Sequence, residues 1–321
     1  MFIVYVEVAE GKPVSVDLEL VNGLKAVTDK VTALVIGKDA EAAAKEAVAW
    51  GADSAIVVDG EQFEKYNSDA YAEAIAQVAK ENAPEAVILG ATQWGKELVP
   101  RVAAKLATGC ANDVVGLKRD GDQLIFTVPA YSGNVLTDMT IEGNPVVASV
   151  RGGTFSKADA ADEGKAADIA KKDITVDASL IRAQVKEAVE EITESVNLED
   201  ADVIIAGGRG MGSAEAFEDL QKLADIMGGV VGCSRPAMEA GWISRAHQVG
   251  QSGKIVAPKL YIAFGISGST QHVTGMVGSK YIVAVNKDED APIFDIADVG
   301  IVGNVKDVLP IFIEEMSKRF A

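Results

Sequence analysis

Cysteine, histidine and aromatic residues are scarce in this chain. Of 321 residues, two are cysteine and two are histidine, and aromatics make up 6%. Cys110 and Cys233 form neither a CxxC pair nor a metal-ligand spacing, which leaves no disulfide framework and suits a reducing compartment. Both are expected to be buried small hydrophobes. His247 and His272 each stand beside a glutamine with no carboxylate or cysteine at ligand spacing, so no metal site is expected. Basic residues are also few: 30 Lys and Arg face 48 Asp and Glu, a net charge of -18. Such a surface repels nucleic acid phosphates and anionic lipid unless a local basic patch compensates, and the sequence shows none. Neither nucleic acid nor membrane insertion is therefore expected. No apolar run approaches the roughly 18 residues of a membrane span. The opening Met1 to Val8 lacks the basic region and cleavage site of an export signal, and the expectation is a soluble, cytoplasmic protein.

What is present is alternation. With 48% hydrophobic and 24% charged residues, the composition is that of a globular protein, and the length favours two domains. Short β-branched runs bounded by Gly or Asp recur at 2–8, 31–37, 54–60 and 86–90, with Ala-rich polar segments between them. That is the pattern of a parallel α/β sheet. Asp39 is expected to cap a helix over 40–50 and Ser68 one over 69–82. Thr92 precedes a helix running to about Thr108, with Pro100 tolerable only near its start. Beyond Asp113 the runs at 123–130, 136–141 and 146–151 are joined by Ser132-Gly133-Asn134 and Glu142-Gly143-Asn144. Those turns predict antiparallel strands completing the sheet.

From Gly152 to about Glu199 the chain is rich in Ala, Asp, Glu and Lys, with a dense acidic stretch at 187–202. Such a segment buries little surface and reads as a partly extended connector. The expected division is therefore an N-terminal α/β domain over 1–190, ending in the connector, and a second domain over 191–321. The second begins with an apolar strand at 202–206, a Gly-rich turn at 207–212, and a helix through Phe217, Leu220, Ala224 and Met227. Further strands at 230–232, 260–265, 281–286 and 299–302 and a closing helix through Val305, Val308, Phe312 and Met316 predict another open parallel α/β sheet.

In such sheets the strand ends and following helix starts form the ligand crevice. Gly207 to Gly212 approaches a dinucleotide fingerprint but carries Ser213 where the third glycine belongs, counting from Gly208. Gly250 to Lys254 resembles a P-loop, yet Gln248 replaces its first glycine and Ile255 its Ser or Thr, which argues against ATP hydrolysis. Gly265 to His272 says more. A strand ends at Phe264, Gly265 and Gly268 let the backbone approach a ligand, and Ser267, Ser269, Thr270, Gln271 and His272 supply polar groups suited to a pyrophosphate. A Ser-capped helix start without a ligand is the other reading of the same residues.

Taken in order, Gly207 to Gly210, Gly232-Cys233-Ser234-Arg235, Gln248 to Lys254, Leu260 to Ala263, Gly265 to His272, Val283 to Asp288 and Ala291 to Phe294 together resemble the alpha subunit of electron-transferring flavoproteins. The resemblance covers the C-terminal domain almost continuously and the N-terminal domain mainly in its pattern of elements. It implies a nucleotide-alpha-hydrolase-like N-terminal domain that binds a homologous beta subunit, and a Rossmann-like C-terminal domain that holds one FAD. The implied cofactor set comprises Arg209, Ser234 and Arg235; Gln248, Val249, Gly250, Gln251 and Ser252; Gly265, Ser267, Gly268, Ser269, Thr270, Gln271 and His272; and Asn286, Asn304 and Val305. By the same resemblance, Arg235 lies against the isoalloxazine, Ser252 faces the flavin N5 and His272 the N1/O2 side, tuning the redox behaviour of the flavin. Ser267 to Gln271 with Arg209 and Ser234 hold the pyrophosphate and ribityl chain, and Asn286 the adenosine half. Asn304-Val305 replaces the Asp-Leu that the family often carries near the adenine. Cys233 stands where a small Ala is common, and Trp94 is expected in the core rather than at an interface.

The implied function is a heterodimeric electron carrier, rather than an enzyme in the strict sense. It takes electrons from flavin dehydrogenases, such as the acyl-CoA dehydrogenases of fatty acid beta-oxidation, and passes them on. Two alternatives stay open: an NADH-oxidising, electron-bifurcating relative reducing a ferredoxin or flavodoxin, and a non-redox nucleotide-binding module.

Overall fold

The computed structural model describes residues 1–133, 135–183 and 197–320, and the chain divides into two units, Met1–Val189 and Glu190–Ala321. The expected boundary at 190/191, the turn residue Asn134 and most of the acidic stretch that starts at 187 lie outside the described residues. Among the described residues, no helix is long and apolar enough to cross a membrane.

The first unit opens with β1 (Phe2–Val6) and a short hairpin of β2 (Val8–Ala9) and β3 (Lys12–Pro13), followed by α1 (Ser15–Gly23). Then come β4 (Val31–Ile36), α2 (Glu41–Ala49), β5 (Ser54–Val58), α3 (Ser68–Asn82), β6 (Ala86–Gly90) and α4 (Gln93–Leu106). Strands β7 (Cys110–Val114), β8 (Gly116–Asp120), β9 (Gln123–Ala130), β10 (Val135–Met139), β11 (Val146–Val150) and β12 (Ile169–Lys172) complete it. Seven strands form one sheet in the order β12-β5-β4-β1-β6-β11-β7, parallel at every pairing. Continuous apolar runs make sense in such a sheet because both faces are covered. In β1, Phe2, Val4 and Val6 enter one core while Ile3 and Tyr5 enter the other.

Three sequence expectations change here. Only β9 and β10, with β8, form the antiparallel group, as a separate three-stranded sheet. The run at 146–150 is instead an inner parallel strand between β6 and β7, all five residues buried. Part of the expected connector, β12, extends the main sheet along β5. Two caps also move. Asn67, not Ser68, caps α3, accepting from Asp69 N (3.1 Å) and Ala70 N (3.2 Å), and Asp39 adopts a left-handed φ of 57° one residue before the uncapped α2 N-cap, Ala40. Thr92 caps α4 through Gly95 N, as expected. Pro100 lies well inside α4 and cannot donate to the Lys96 carbonyl; Asn112 Nδ2 donates to that oxygen instead, at 3.2 Å.

The second unit contains β13 (Val203–Gly207), α5 (Ala216–Met227), β14 (Val230–Cys233), α6 (Arg235–Glu239), β15 (Leu260–Phe264), α7 (Thr270–Val273), β16 (Ile282–Asn286), β17 (Val299–Val302) and α8 (Val305–Arg319). Its five strands are all parallel, in the order β14-β13-β15-β16-β17. Helices α5 and α8 bury Phe217, Leu220, Val305 and Leu309 with the strands on one face. The chain runs outward from β13 to β14 and then crosses to β15. This places the topological switch point between the carboxyl ends of β13 and β15, where open α/β sheets hold ligands. In the first unit the corresponding point lies between β1 and β6.

Candidate functional site

At the second unit's switch point, β13 runs into Gly208 and a single 3-10 turn at Arg209–Met211, and β15 runs into the loop that precedes α7. Backbone laces these two loops together. Gly208 N donates to Phe264 O at 2.8 Å and Gly210 N to Gly265 O at 3.0 Å. A Cβ on Gly208 would stand 2.2 Å from the Gly265 oxygen, and one on Gly265, with φ +62°, would stand 2.7 Å from Gly210 Cα. Glycine is therefore demanded by the approach of loop to loop. The space beside Gly268 is likewise taken by the chain, since a Cβ there would lie 2.2 Å from Ile293 N.

These loops surround a cavity of about 740 Å³, in the upper half of the roughly 300–1,000 Å³ range of small-molecule sites. Arg209 lines it from the first loop, and Ser234 and Arg235 line it where β14 passes into α6. The loop before β15 contributes Gln248, Val249, Gly250, Gln251 and Ser252, and the loop after it contributes Gly265, Ser267 and Ser269. Gln271 and His272 enter from α7, and Asn286 from the end of β16. Gly268 and Thr270 shape the loop without lining the cavity. Asn304 and Val305 stand apart from it: the Asn304 oxygen accepts from Lys306 N at 3.1 Å as the cap of α8, and Val305 is buried in the core. Glu239, Lys287 and Asp288 also line the cavity. None of the three is expected from the sequence, because a charged residue at a helix end or in a loop carries no signal that separates it from a solvated one.

The polar groups are mutually committed. Gln248 is buried and its Nε2 donates to Ser252 Oγ at 3.0 Å, leaving the hydroxyl proton of Ser252 available to an acceptor. Arg235 pairs with Glu239 through Nε–Oε1 at 2.7 Å, one helical turn apart and largely exposed. Asn286 Nδ2 donates to Ile266 O at 2.9 Å while its Oδ1 accepts from Asp288 N at 3.1 Å, so it orders the loops around it. His247 meets the Val231 carbonyl through Nδ1 at 2.6 Å and does not line the cavity. Cys233 is fully buried in the core, where burial pushes its thiol up to about 12, so it is an inert packing group. Cys110 is only half-buried. Trp94 is also half-buried, stacked on Tyr66 with ring centroids 4.0 Å apart.

His272 is the most unusual group in the cavity wall. Its ring is buried, with Nε2 3.0 Å from the hydroxyl of the fully buried Tyr261. Its Nδ1 is buried with no hydrogen-bond partner of good geometry. Burial lowers its pKa from 6.5 to about 4, partly countered by the neighbouring Val249 backbone, so the ring is neutral at physiological pH.

Comparison with known proteins agrees with this arrangement. Residues 3–177 match the electron transfer flavoprotein domain, and residues 197–277 match the electron transfer flavoprotein FAD-binding domain. The chain is 42% identical to an electron transfer flavoprotein subunit alpha of Thermoanaerobacterium thermosaccharolyticum, over 98% of this chain and 97% of that one. It is 43% identical to a subunit of the same name from Megasphaera elsdenii, over 98% and 96% of the two chains. It is also 35% identical to the acryloyl-CoA reductase electron transfer subunit beta of Anaerotignum propionicum, over 98% and 95%. With both units matched in order and relatives aligned almost end to end, this chain belongs to the family of electron transfer flavoprotein alpha subunits.

Proposed function

We propose that this chain is the FAD-holding subunit of a two-subunit electron carrier, and that the cavity at the β13/β15 switch point is the FAD site. The observation that carries the proposal is the composition of that cavity. Arg209 and Arg235 supply cations, the Ser267 and Ser269 loop supplies small polar groups, and Gln248 holds the oxygen of Ser252 so that its hydroxyl proton is uncommitted.

When bound, the FAD supplies the redox chemistry, and the protein supplies binding, orientation and electrostatics. Arg209 and Ser267 to Gln271 hold the phosphates. Gln248 holds the Ser252 oxygen so that its O–H points to an acceptor on the flavin ring system. Arg235 releases Glu239, an exchange that costs little because the pair is exposed, and presents its planar guanidinium to the cofactor. Neutral His272 lines the site without adding a net charge. The N-terminal unit docks the homologous beta subunit, and the donors are flavin dehydrogenases. A dehydrogenase acting on acyl-CoA thioesters suits the acryloyl-CoA reductase named in the Anaerotignum relative.

Co-expression with a beta-type partner, followed by visible spectroscopy and a flavin count, tests this reading. A yellow heterodimer with one FAD is expected. A colourless complex that FAD does not reconstitute overturns the proposal, and two FADs with NADH oxidation replace the simple carrier by a bifurcating one.

A further inference from the structure

The 248–254 loop carries five of the residues that line the cavity. It belongs to no helix or strand, so its position is set by what it rests on. Two bonds close it on itself: Lys254 N donates to Gln248 O at 2.8 Å and Gly250 N to Lys254 O at 3.1 Å. A third, from Val249 N to Cys233 O at 2.9 Å, ties it to β14. The rest of its support comes from α7 and the turn that follows. Gln251 N donates to Gln271 O at 2.7 Å, the His272 ring lies against the Val249 backbone, and just beyond the loop Val256 N donates to Gly275 O at 2.8 Å.

The two backbones meet at Gly275, which is buried and does not line the cavity. A Cβ there would stand 2.4 Å from both Cα and N of Gly250 and 2.9 Å from its carbonyl carbon. All three are backbone atoms, which cannot swing aside as the end of a side chain does. Ordinary contact starts at 3.4 Å, so alanine at this position asks α7 and the loop to separate by on the order of 1 Å. Conformation makes no such demand, because the φ of Gly275 lies outside the positive range that favours glycine. Space alone calls for glycine here.

We propose that Gly275 is a positioning residue for the cofactor: by lacking a side chain it lets α7 seat the 248–254 loop at the height where Gln248 and Ser252 meet the flavin. The inference deepens the flavin reading and rests on it for the identity of the ligand. Because the loop is closed on itself, a push at Gly250 carries to the Gln248–Ser252 pair, whose Nε2 and Oγ lie 3.0 Å apart. If the loop instead holds to β14, the push passes into α7, which brings Gln271 and His272 to the cavity wall. Either way the wall moves by more than the roughly 0.5 Å within which a binding constellation has to be held. Gly275 acts only through the elements it lets meet.

The test compares Gly275→Ala with Gly278→Ala in the full-length chain co-expressed with a beta-type partner. Gly278 follows in the same turn, and a Cβ there meets the Ala257 Cβ at an ordinary 3.4 Å, so it controls for the substitution itself. In Gly275→Ala the dissociation constant for FAD should rise roughly ten- to a hundredfold and the midpoint potential should move, while Gly278→Ala keeps both at wild-type values. A Gly275→Ala complex that is less stable in urea but keeps the wild-type FAD affinity and potential overturns the positioning role, since that is the behaviour of a purely structural glycine. Should Gly275→Ala not accumulate as folded protein, amide exchange in the wild-type complex without FAD decides. The Gln251 amide is expected to exchange slowly, and exchange at the rate of an open loop means that α7 does not seat it. A wild-type complex that takes up no FAD would overturn the flavin reading alone, because the seating of the loop is read by exchange without cofactor.

Discussion

The two units of this chain have equivalent crevices at the switch points of two parallel sheets, and they treat them in opposite ways. Between β1 and β6 the strand-end amides are taken by a side chain: Asp17 of α1 accepts from Glu7 N at 2.8 Å and from Gly90 N at 2.9 Å. Thr92 there donates to Glu7 Oε2 at 2.5 Å while capping α4. Two carboxylates and a capped helix start therefore occupy the place where an anionic ligand would bind. Between β13 and β15 the amides of Gly208 and Gly210 pair with the carbonyls of the opposite strand end, so no acidic side chain is needed. The space above is left to Arg209, Arg235 and the small polar side chains of Ser267 and Ser269. A switch point is thus only a potential site. What the chain uses to satisfy its strand-end amides determines whether a ligand can enter.

The largest expected effect comes from emptying the filled crevice. Asp17→Ala leaves one buried and one half-buried backbone donor without an acceptor, at on the order of 1–3 kcal/mol each, so the variant should lose roughly 2–6 kcal/mol of stability in urea unfolding. A midpoint unchanged from wild type would show that Asp17 does not hold the crevice shut. Burial raises the Asp17 carboxyl well above its ordinary range, against the pull of its two donors. Its proton therefore favours the folded state at low pH, and that contribution fades as pH climbs from the ordinary aspartate range to the raised value.

The open crevice titrates in the opposite sense. His272 has its pKa lowered from 6.5 to about 4, so as pH falls below 6.5 the unfolded chain takes up a proton that the folded ring refuses until about pH 4. Stability present above pH 6.5 is lost across that window, up to about 3 kcal/mol for this group. Denaturant titrations at pH 7 and pH 4 should show a smaller decline for His272→Gln than for wild type. Equal declines would mean that the ring is hydrated in solution.

Much of the fold is legible in the sequence because fully buried parallel strands have to be continuous β-branched runs, as in β1, β4, β5 and β6. The same rule explains the misassignment of β11. Five consecutive buried residues lack the period-2 alternation of a half-exposed strand, yet the neighbouring turn residues suggest a hairpin. Strand β12, Ile169–Lys172, carries two lysines and is a strand only because β5 offers it an edge. In the cavity the glycine loops and polar clusters stand out by composition, but composition does not reveal what the glycines face. Gly208, Gly265 and Gly268 are required by other parts of the chain, the Gln248–Ser252 pair depends on how one loop folds back, and the Tyr261–His272 pair on how α7 packs beside β15. Asn304 is expected near the adenine only through the family resemblance, which says nothing of the backbone amide of Lys306 that its oxygen caps at the start of α8.

The smallest effect on folding should accompany a distinct effect on function, and Arg235 is where the two separate. Its pairing with Glu239 is exposed and contributes at most about 1 kcal/mol, so Arg235→Ala should unfold within that margin of wild type. If Arg235 faces the flavin as proposed, removing its charge disfavours the reduced, more negative cofactor. The flavin potential should then fall by on the order of tens of millivolts. Glu239→Gln frees the guanidinium from its partner and should shift the potential upward by a smaller amount. Reductive titration of the three proteins measures both shifts. Identical potentials, with folding intact, would place Arg235 at the rim of the cavity and leave Arg209 as its working cation.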